Sequence, residues 1–254
     1  MAADRDIDFA GVTLGYDGFR LLAVNPHLSV HGRIGFPDSY REGHEADIFA
    51  DISSKLPALA AQGRNVLDIG PGCANLPRLL IALCARQHHR LHLLDSPEML
   101  AQLPDGACVH KVAGAFPAGM AAPGGIAARC YDAILCYSVL QYLFLDANPF
   151  HVVDSAIRLL APGGSVLFGD IPNASKRRRF FASAAGQAHH RAFTGHDEAP
   201  ELHHFAVEDG RIDDSVLLGM MQRAQSAGCD AYLVPQPAHL PMANRRDDLI
   251  IRKP

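Results

Sequence analysis

The sequence predicts an α/β protein built on a doubly wound, mostly parallel sheet, and three observations predict it. Short apolar runs suited to buried strands (Val66 to Ile69, Leu91 to Leu94, Tyr131 to Cys136, Ser165 to Phe168) alternate with stretches whose apolar residues recur every three or four positions. Gly70-Pro71-Gly72 follows directly on the first run, and Leu76, Leu79, Leu80 and Leu83 then recur at helical spacing. The first two runs each carry an acid at the carboxyl end, Asp68 and Asp95.

A chain of 254 residues with 48% hydrophobic content supports a sizeable core, read here as one domain. Its net charge of -4 supplies no field that would draw the whole molecule to nucleic acid or to an anionic membrane. The cysteines (Cys73, Cys84, Cys108, Cys130, Cys136, Cys229) are scattered without a CxxC pair, as expected of reduced thiols in a cytoplasmic protein. MAADRDIDFAG carries acids where a secretory signal needs a basic start, and no apolar stretch approaches the ~20 residues of a membrane span.

Residues 1–43 carry Leu14, Phe19, Leu21, Leu22 and Val24 among glycines and prolines, too irregular for a long element, and IGFPDSYREGHE is turn-rich. From Glu45 to Ala61 an amphipathic helix is expected, kinked or broken at Pro57. Strand one and the glycine turn follow, then a helix. After strand two, Ser96-Pro97-Glu98 supplies a cap, a proline at the first helical position and an acid in the first turn, so a helix is expected over 97–103. Strand three covers 108–113, and 117–130 reads as loop.

Strand four ends in Tyr137-Ser138, and Asn148-Pro149 starts a helix with Val152, Val153, Ala156, Ile157 and Leu160 on one face. Strand five, Ser165 to Phe168, ends in Gly169-Asp170. Residues 171–212 break the rhythm with Lys176-Arg177-Arg178-Arg179, Phe180-Phe181 and the histidines His189, His190, His196, His203 and His204, and read as a loop-like lid over the substrate. A helix capped by Asp213 or Asp214 and stopped by Gly228 then leads to strand six (231–234) and strand seven (248–251). The resulting divisions are an N-terminal flap (1–43), a cofactor-binding core (44–170), the lid (171–212) and a C-terminal helix with its two strands (213–254).

A strand, a glycine turn and a helix N-terminus together offer free N–H groups to an anion. A pyrophosphate has no use for a carboxylate at Asp68, because like charges repel, whereas a ligand carrying an ammonium group does. An acid ending the second strand, as Asp95 does, can accept hydrogen bonds from both ribose hydroxyls. Carboxylate, amine and ribose describe S-adenosyl-L-methionine (SAM) better than NAD. In an open parallel sheet, ligands bind outside the carboxyl ends of the strands, so Tyr137, Ser138 and Gln141 face the reacting centre.

LDIGPGCANL followed by LLDSPEML, KVAGAFP, YDAILCYSVLQYL and LLAPGGSVLFGD, in that order, resembles the class I SAM-dependent methyltransferases over roughly residues 40–170. The resemblance implies a Rossmann-like sheet of seven strands whose last is antiparallel. Cofactor contacts are then expected from Tyr40 and Arg41 at the methionine carboxylate, from Asp68, Gly70, Gly72, Asp95 and Ser96, from Ala113 and Gly114 at the adenine, and from Tyr137 and Ser138. Pro71, Cys73 and Asn75, the last where a third glycine often stands, depart from the commonest pattern.

IGFPDSYREG with GDIPNASKRRRF is also similar to methyltransferases of bacterial surface-polysaccharide gene sets. That similarity implies a sugar-nucleotide or small phosphorylated acceptor whose phosphates meet Lys176 to Arg179; the acceptor is expected to be small and polar, methylated on oxygen, with Gln141, Asn173, Lys176 and Arg177 as its candidate contacts. Guanidinium forks suit phosphate oxygens, although a solvated helix face accounts for the same charges. Asp170, His189 and His190 are the candidate bases, against structural readings of each, and His151 reads as structural. The histidine spacing does not suit a zinc site. A small-molecule acceptor is the expected partner, with no nucleic acid, no membrane, and a homodimer as an admissible assembly. The competing activities are an NAD-dependent oxidoreductase and a non-catalytic SAM-binding protein.

Overall fold

The computed structural model describes residues 11–121, 125–200, 202 and 208–254, and its strands are β1 (Asn65–Ile69), β2 (Arg90–Asp95), β3 (Val109–Ala113), β4 (Tyr131–Tyr137), β5 (Leu160–Pro172), β6 (Asp230–Pro235) and β7 (Arg246–Arg252). They form one sheet in the order β3-β2-β1-β4-β5-β7-β6. The pairings from β3 across to β5 are parallel, and β7 runs antiparallel to both β5 and β6. This is the doubly wound Rossmann-like sheet with an antiparallel last strand that the sequence leads one to expect, and that closing strand separates it from ordinary dinucleotide-binding sheets. The order reverses between β1 and β4, which opens a crevice at their carboxyl ends.

Alternation along each strand feeds two cores. Ile134, Cys136, Val166, Phe168, Leu249 and Ile251 face one side, while Ala133, Leu135, Leu167 and Ile250 face the other. The first side is covered by α5 (Leu140–Asp146), α6 (Pro149–Leu159) and α9 (Asp214–Ser226), the second by α2 (Glu45–Lys55) and α3 (Asn75–Arg86). Among the described residues no helix is long and apolar enough to cross a membrane. The cysteines are free thiols, with Cys73, Cys84, Cys136 and Cys229 buried.

Several elements differ from expectation. An eight-residue helix, α1 (Tyr16–Ala23), stands where the sequence looks irregular. Leu22 and Ala23 are buried and Arg20 is bonded to Glu98, so tertiary contacts hold a helix that local periodicity does not announce. The helix from Glu45 ends at Lys55, and Pro57 opens a 3-10 turn over Pro57–Ala60, as its missing N–H dictates. The helix expected over 97–103 is helical only as α4 (Pro97–Leu100), capped by Ser96, whose Oγ accepts from the Met99 N–H at 3.2 Å. Within 117–130, 3-10 turns occur at Ala118–Ala121 and Ile126–Ala128.

β5 is longer than expected at both ends: at its start a shift in its pairing with β4 between Tyr131 and Ala133 absorbs Pro162 to Gly164, and at its far end Ile171 and Pro172 pair with β7. The expected loop after β5 is helical. Asn173 caps α7 (Ala174–Ala182), accepting from the N–H groups of Ser175 and Lys176 at 3.0 and 3.1 Å. Ser183 caps α8 (Ala184–Thr194), which Gly195 ends in the left-handed region at φ +71°. His203 and His204 lie outside the described residues.

Candidate active site

Gly70 and Gly72 both have left-handed φ, +68° and +66°, which a glycine adopts without strain. Both are also crowded. A Cβ on Gly70 would lie 2.7 Å from Val139 Cγ2, and one on Gly72 would lie 2.7 Å from Ile34 Cγ2. The turn is thus pressed between the residues after β4 and a segment of the N-terminal region. Asp95 clamps it: Oδ2 accepts from the Gly72 N–H at 2.9 Å and Oδ1 from the Ser96 N–H at 2.6 Å. Burial pushes the Asp95 carboxyl up to about 6, against the pull of those two N–H groups.

A cavity of about 170 Å³ opens above this turn. Gly70, Pro71, Gly72, Asp95 and Met99 form one end, with Gly114, Ala115 and Phe116 beyond them. Tyr137, Ser138, Val139 and Tyr142 form another wall, and Tyr16, Phe19, His31, Ile34, Phe36, Arg41 and Glu45 close it from the N-terminal side. The Tyr16 hydroxyl is pushed up by burial and by the Asp95 carboxylate, which places it within that charge's field. The cover is tied to the sheet side of the cavity: Arg20 Nη2 donates to Glu98 at 2.9 Å, Arg33 Nη1 donates to Gln102 at 2.9 Å, and Gln102 Nε2 donates to the Ala23 carbonyl at 2.7 Å.

A buried polar cluster lies behind the Tyr137-Ser138 wall. Asp170 Oδ2 accepts from Arg41 Nη2 at 2.7 Å, Ser138 Oγ at 2.5 Å and Arg246 Nη1 at 3.1 Å. Burial alone would raise this carboxyl, but the Arg246 and Arg41 guanidiniums hold it below its usual range. Asp248 Oδ1 accepts the Asp170 N–H at 2.8 Å, and Asp248 Oδ2 pairs with Lys55 Nζ at 2.7 Å. Ser138 and Asp170, at the ends of adjacent strands, have φ of +62° and +56°. Two non-glycine residues in that region side by side mark stored strain of the kind found at working sites.

The structure brings Arg41, Gly70, Gly72, Asp95, Gly114, Tyr137 and Ser138 to one cavity. Asp68 is a correction. It is 3% exposed beneath the turn and does not line the cavity, and burial followed by the Asp95 charge pushes its carboxyl up to about 8. Ser96 serves as cap rather than wall, and Ala113 stops one residue short of the lining. Tyr40 turns its ring to the Arg245 guanidinium, 5.9 Å away, and Gln141 Nε2 donates to the Ser138 carbonyl at 2.8 Å.

Among the described residues of 171–212 none lines the cavity, and several of their polar groups are engaged elsewhere. Asn173 Nδ2 donates to Asp214 and Asp247, both at 2.8 Å. Lys176 Nζ donates to Asp247 at 2.7 Å and to the Arg246 carbonyl at 2.6 Å. The Arg177 guanidinium lies 5.4 Å from the centre of the Phe181 ring. His189 and His190 stand on α8 against the rings of Phe180 and Phe181. Asp170 is likewise no free base, being fixed between two guanidiniums and outside the lining.

Sequence reasoning missed Tyr16, Phe19, His31, Phe36, Glu45, Met99 and Tyr142. The segments of Tyr16, Phe19, His31 and Phe36 carry no periodic signal that could have found them, and Glu45 opens a helix whose periodicity marks its buried face but not the cavity. Met99 sits in the PEML turn already quoted from the sequence.

No protein-family model matches the chain, and no curated protein does. Among solved structures it is similar to the plantazolicin methyltransferase BpumL in complex with a monoazolic desmethylPZN analog and SAH, at 11% identity over 94% of this chain and 97% of that one, with a TM-score of 0.56. It is also similar to the plantazolicin methyltransferase BamL in complex with a triazolic desmethylPZN analog and SAH, at 13% identity over 85% of this chain and 87% of that one, TM-score 0.54. A third is the N-methyltransferase NodS from Bradyrhizobium japonicum WM9 in complex with S-adenosyl-L-homocysteine (SAH), at 16% identity over 94% and 98%, TM-score 0.50. At such identities the likeness is one of fold, and the fold is that of a Rossmann-like methyltransferase.

Proposed function

We propose that this chain is a SAM-dependent methyltransferase acting on a small-molecule acceptor. The observation that carries the reading is that Asp95, the Gly70 to Gly72 turn and the Arg41 guanidinium face one cavity at the point where the strand order reverses. The residues fit the cofactor: the glycine turn and Asp95 line the cavity together, and the Asp95 carboxyl, which spends one bond per oxygen on the Gly72 and Ser96 N–H groups, has lone pairs to spare for ribose hydroxyls. In this reading Arg41 holds the methionine carboxylate, Gly114 with its neighbours Ala113, Ala115 and Phe116 meets the adenine, and Tyr137 and Ser138 back the reacting centre. Tyr40, Asp68 and Ser96 support these contacts from behind.

When bound, SAM supplies a methyl group on a sulfonium that becomes a neutral thioether as the group leaves. What the chain does is position and exclude water: Phe19, Phe36 and Tyr142 form apolar walls, and the N-terminal cover closes over them. The acceptor of this reading is small and polar, with oxygen as the methylated atom. Lys176 and Arg177 do not point to a phosphorylated or sugar-nucleotide acceptor, since Lys176 is consumed by Asp247 and neither residue lines the cavity. A cytoplasmic address is consistent with the free thiols, and homodimerisation is part of the same proposal. Incubation with methyl-labelled SAM and a panel of small hydroxyl and amine acceptors tests the reading: label transfer supports it, and SAM binding without transfer to any acceptor favours the non-catalytic alternative.

A further inference from the structure

Arg41 and Glu45 stand on either side of the glycine turn. Arg41 is anchored to the β4 side by Ser138, and Glu45 is anchored to the α3 side by Asn75, whose Nδ2 donates to Glu45 Oε1 at 3.2 Å. Between them Ile34 lies directly on Gly72, so this stretch of the cover rests on the turn itself. Both charges line the cavity. Arg41 stacks on the Phe36 ring at 3.9 Å and spends only Nη2 on Ser138 and Asp170; among the described residues Nε and Nη1 make no hydrogen bond. Glu45 Oε1 is held by His31 Nε2 at 2.7 Å, and His31 Nδ1 is fixed in turn by Asp38 at 2.9 Å, while Glu45 Oε2 has no side-chain partner among the described residues. A cation and an anion four positions apart, each with unused valence toward one cavity, form a receptor for a group carrying both charges.

We propose that Glu45 takes the ammonium group of the cofactor's amino-acid end, with Arg41 taking its carboxylate, so that the zwitterion is read by the N-terminal cover rather than by the sheet. Asp68, the sequence's candidate for the ammonium, sits under the turn and off the cavity surface. His31 is a positioning residue in this arrangement, fixing Glu45 through one ring nitrogen and Asp38 through the other. The inference rests on the SAM reading and deepens it.

Calorimetric titration of the full chain with SAH, with SAH lacking its amino group, and with 5′-methylthioadenosine, which lacks the whole amino-acid end, tests it. Wild type is expected to bind SAH at least about tenfold more tightly than the deaminated analogue, the scale of one charge-assisted contact. Glu45→Gln should abolish that preference and leave the 5′-methylthioadenosine affinity unchanged. A wild type that does not distinguish SAH from the deaminated analogue overturns the proposal without any variant having to fold. So does Glu45→Gln that keeps the preference, or Asp68→Asn that alone removes it; in all three cases the SAM reading stands. Failure of wild type to bind any of the three ligands removes the SAM reading and this inference with it.

Discussion

Arg41, in the N-terminal segment, donates to Asp170 at the end of β5 across 2.7 Å, and this buried ion pair pins the cover of the cavity to the sheet. Arg246 shares the same carboxylate, so removing its charge would leave two buried guanidiniums uncompensated. Asp170→Asn should cost about 3 kcal/mol or more of stability, the scale for breaking a buried pair, and should weaken SAH binding with it. Thermal melts and SAH titration of the variant check this. A base-only role for Asp170 predicts instead an unchanged melt with lost turnover.

The glycine turn is constrained by conformation and by space at once. Gly70→Ala is expected to destabilise the chain by about 1–3 kcal/mol, because a left-handed non-glycine residue is strained and its Cβ would meet Val139. Gly63→Ala, also left-handed but with open space around its Cβ, isolates the conformational share. Denaturant midpoints of the two variants give the difference, and the account predicts the larger loss at Gly70.

Asp68 and Asp95 carry raised carboxyls, up to about 8 and about 6, so each binds its proton more tightly in the folded chain than in the unfolded one. Their stabilising contribution is therefore complete below the unfolded value of about 4 and is lost as pH rises through the folded values. The ligand-free chain should melt at progressively lower temperature from about pH 5 to pH 8, and Asp68→Asn should flatten the upper part of that fall. Melting temperatures of wild type and Asp68→Asn measured across that pH range check it.

The helices after β5 supply a contrasting expectation. His189→Ala and His190→Ala should leave methyl transfer within about twofold of wild type, since neither lines the cavity and surface changes of this kind cost little. Turnover assays of the two variants decide it. A loss of a hundredfold in either would return the catalytic base to α8.

How much of this was legible in the sequence follows from what each signal depends on. The βα alternation, the glycine turn and Asp95 are local patterns, and each lies where periodicity and turn chemistry put it. The count of seven strands with the last antiparallel came from resemblance of motifs in series, and the sheet has both features. The cover was not legible as structure, because α1 and the turns after it are held by distant partners such as Glu98, Gln102 and Asp170. The described residues after β5 lie away from the cavity for a related reason. Position after β5 suggested a substrate cap, but Asn173 and Lys176 meet Asp214 and Asp247, residues far along the chain that composition cannot pair. Asp68 was placed by its neighbours in sequence, whereas its accessibility depends on packing beneath the turn.

The most direct measurement is calorimetric titration of wild type and Asp95→Ala with SAH and, separately, with NAD. The account predicts one SAH site on wild type, no NAD binding, and a loss of at least about tenfold in SAH affinity (~1.4 kcal/mol) on Asp95→Ala. NAD binding as tight as SAH binding, or SAH affinity untouched by Asp95→Ala, would contradict it.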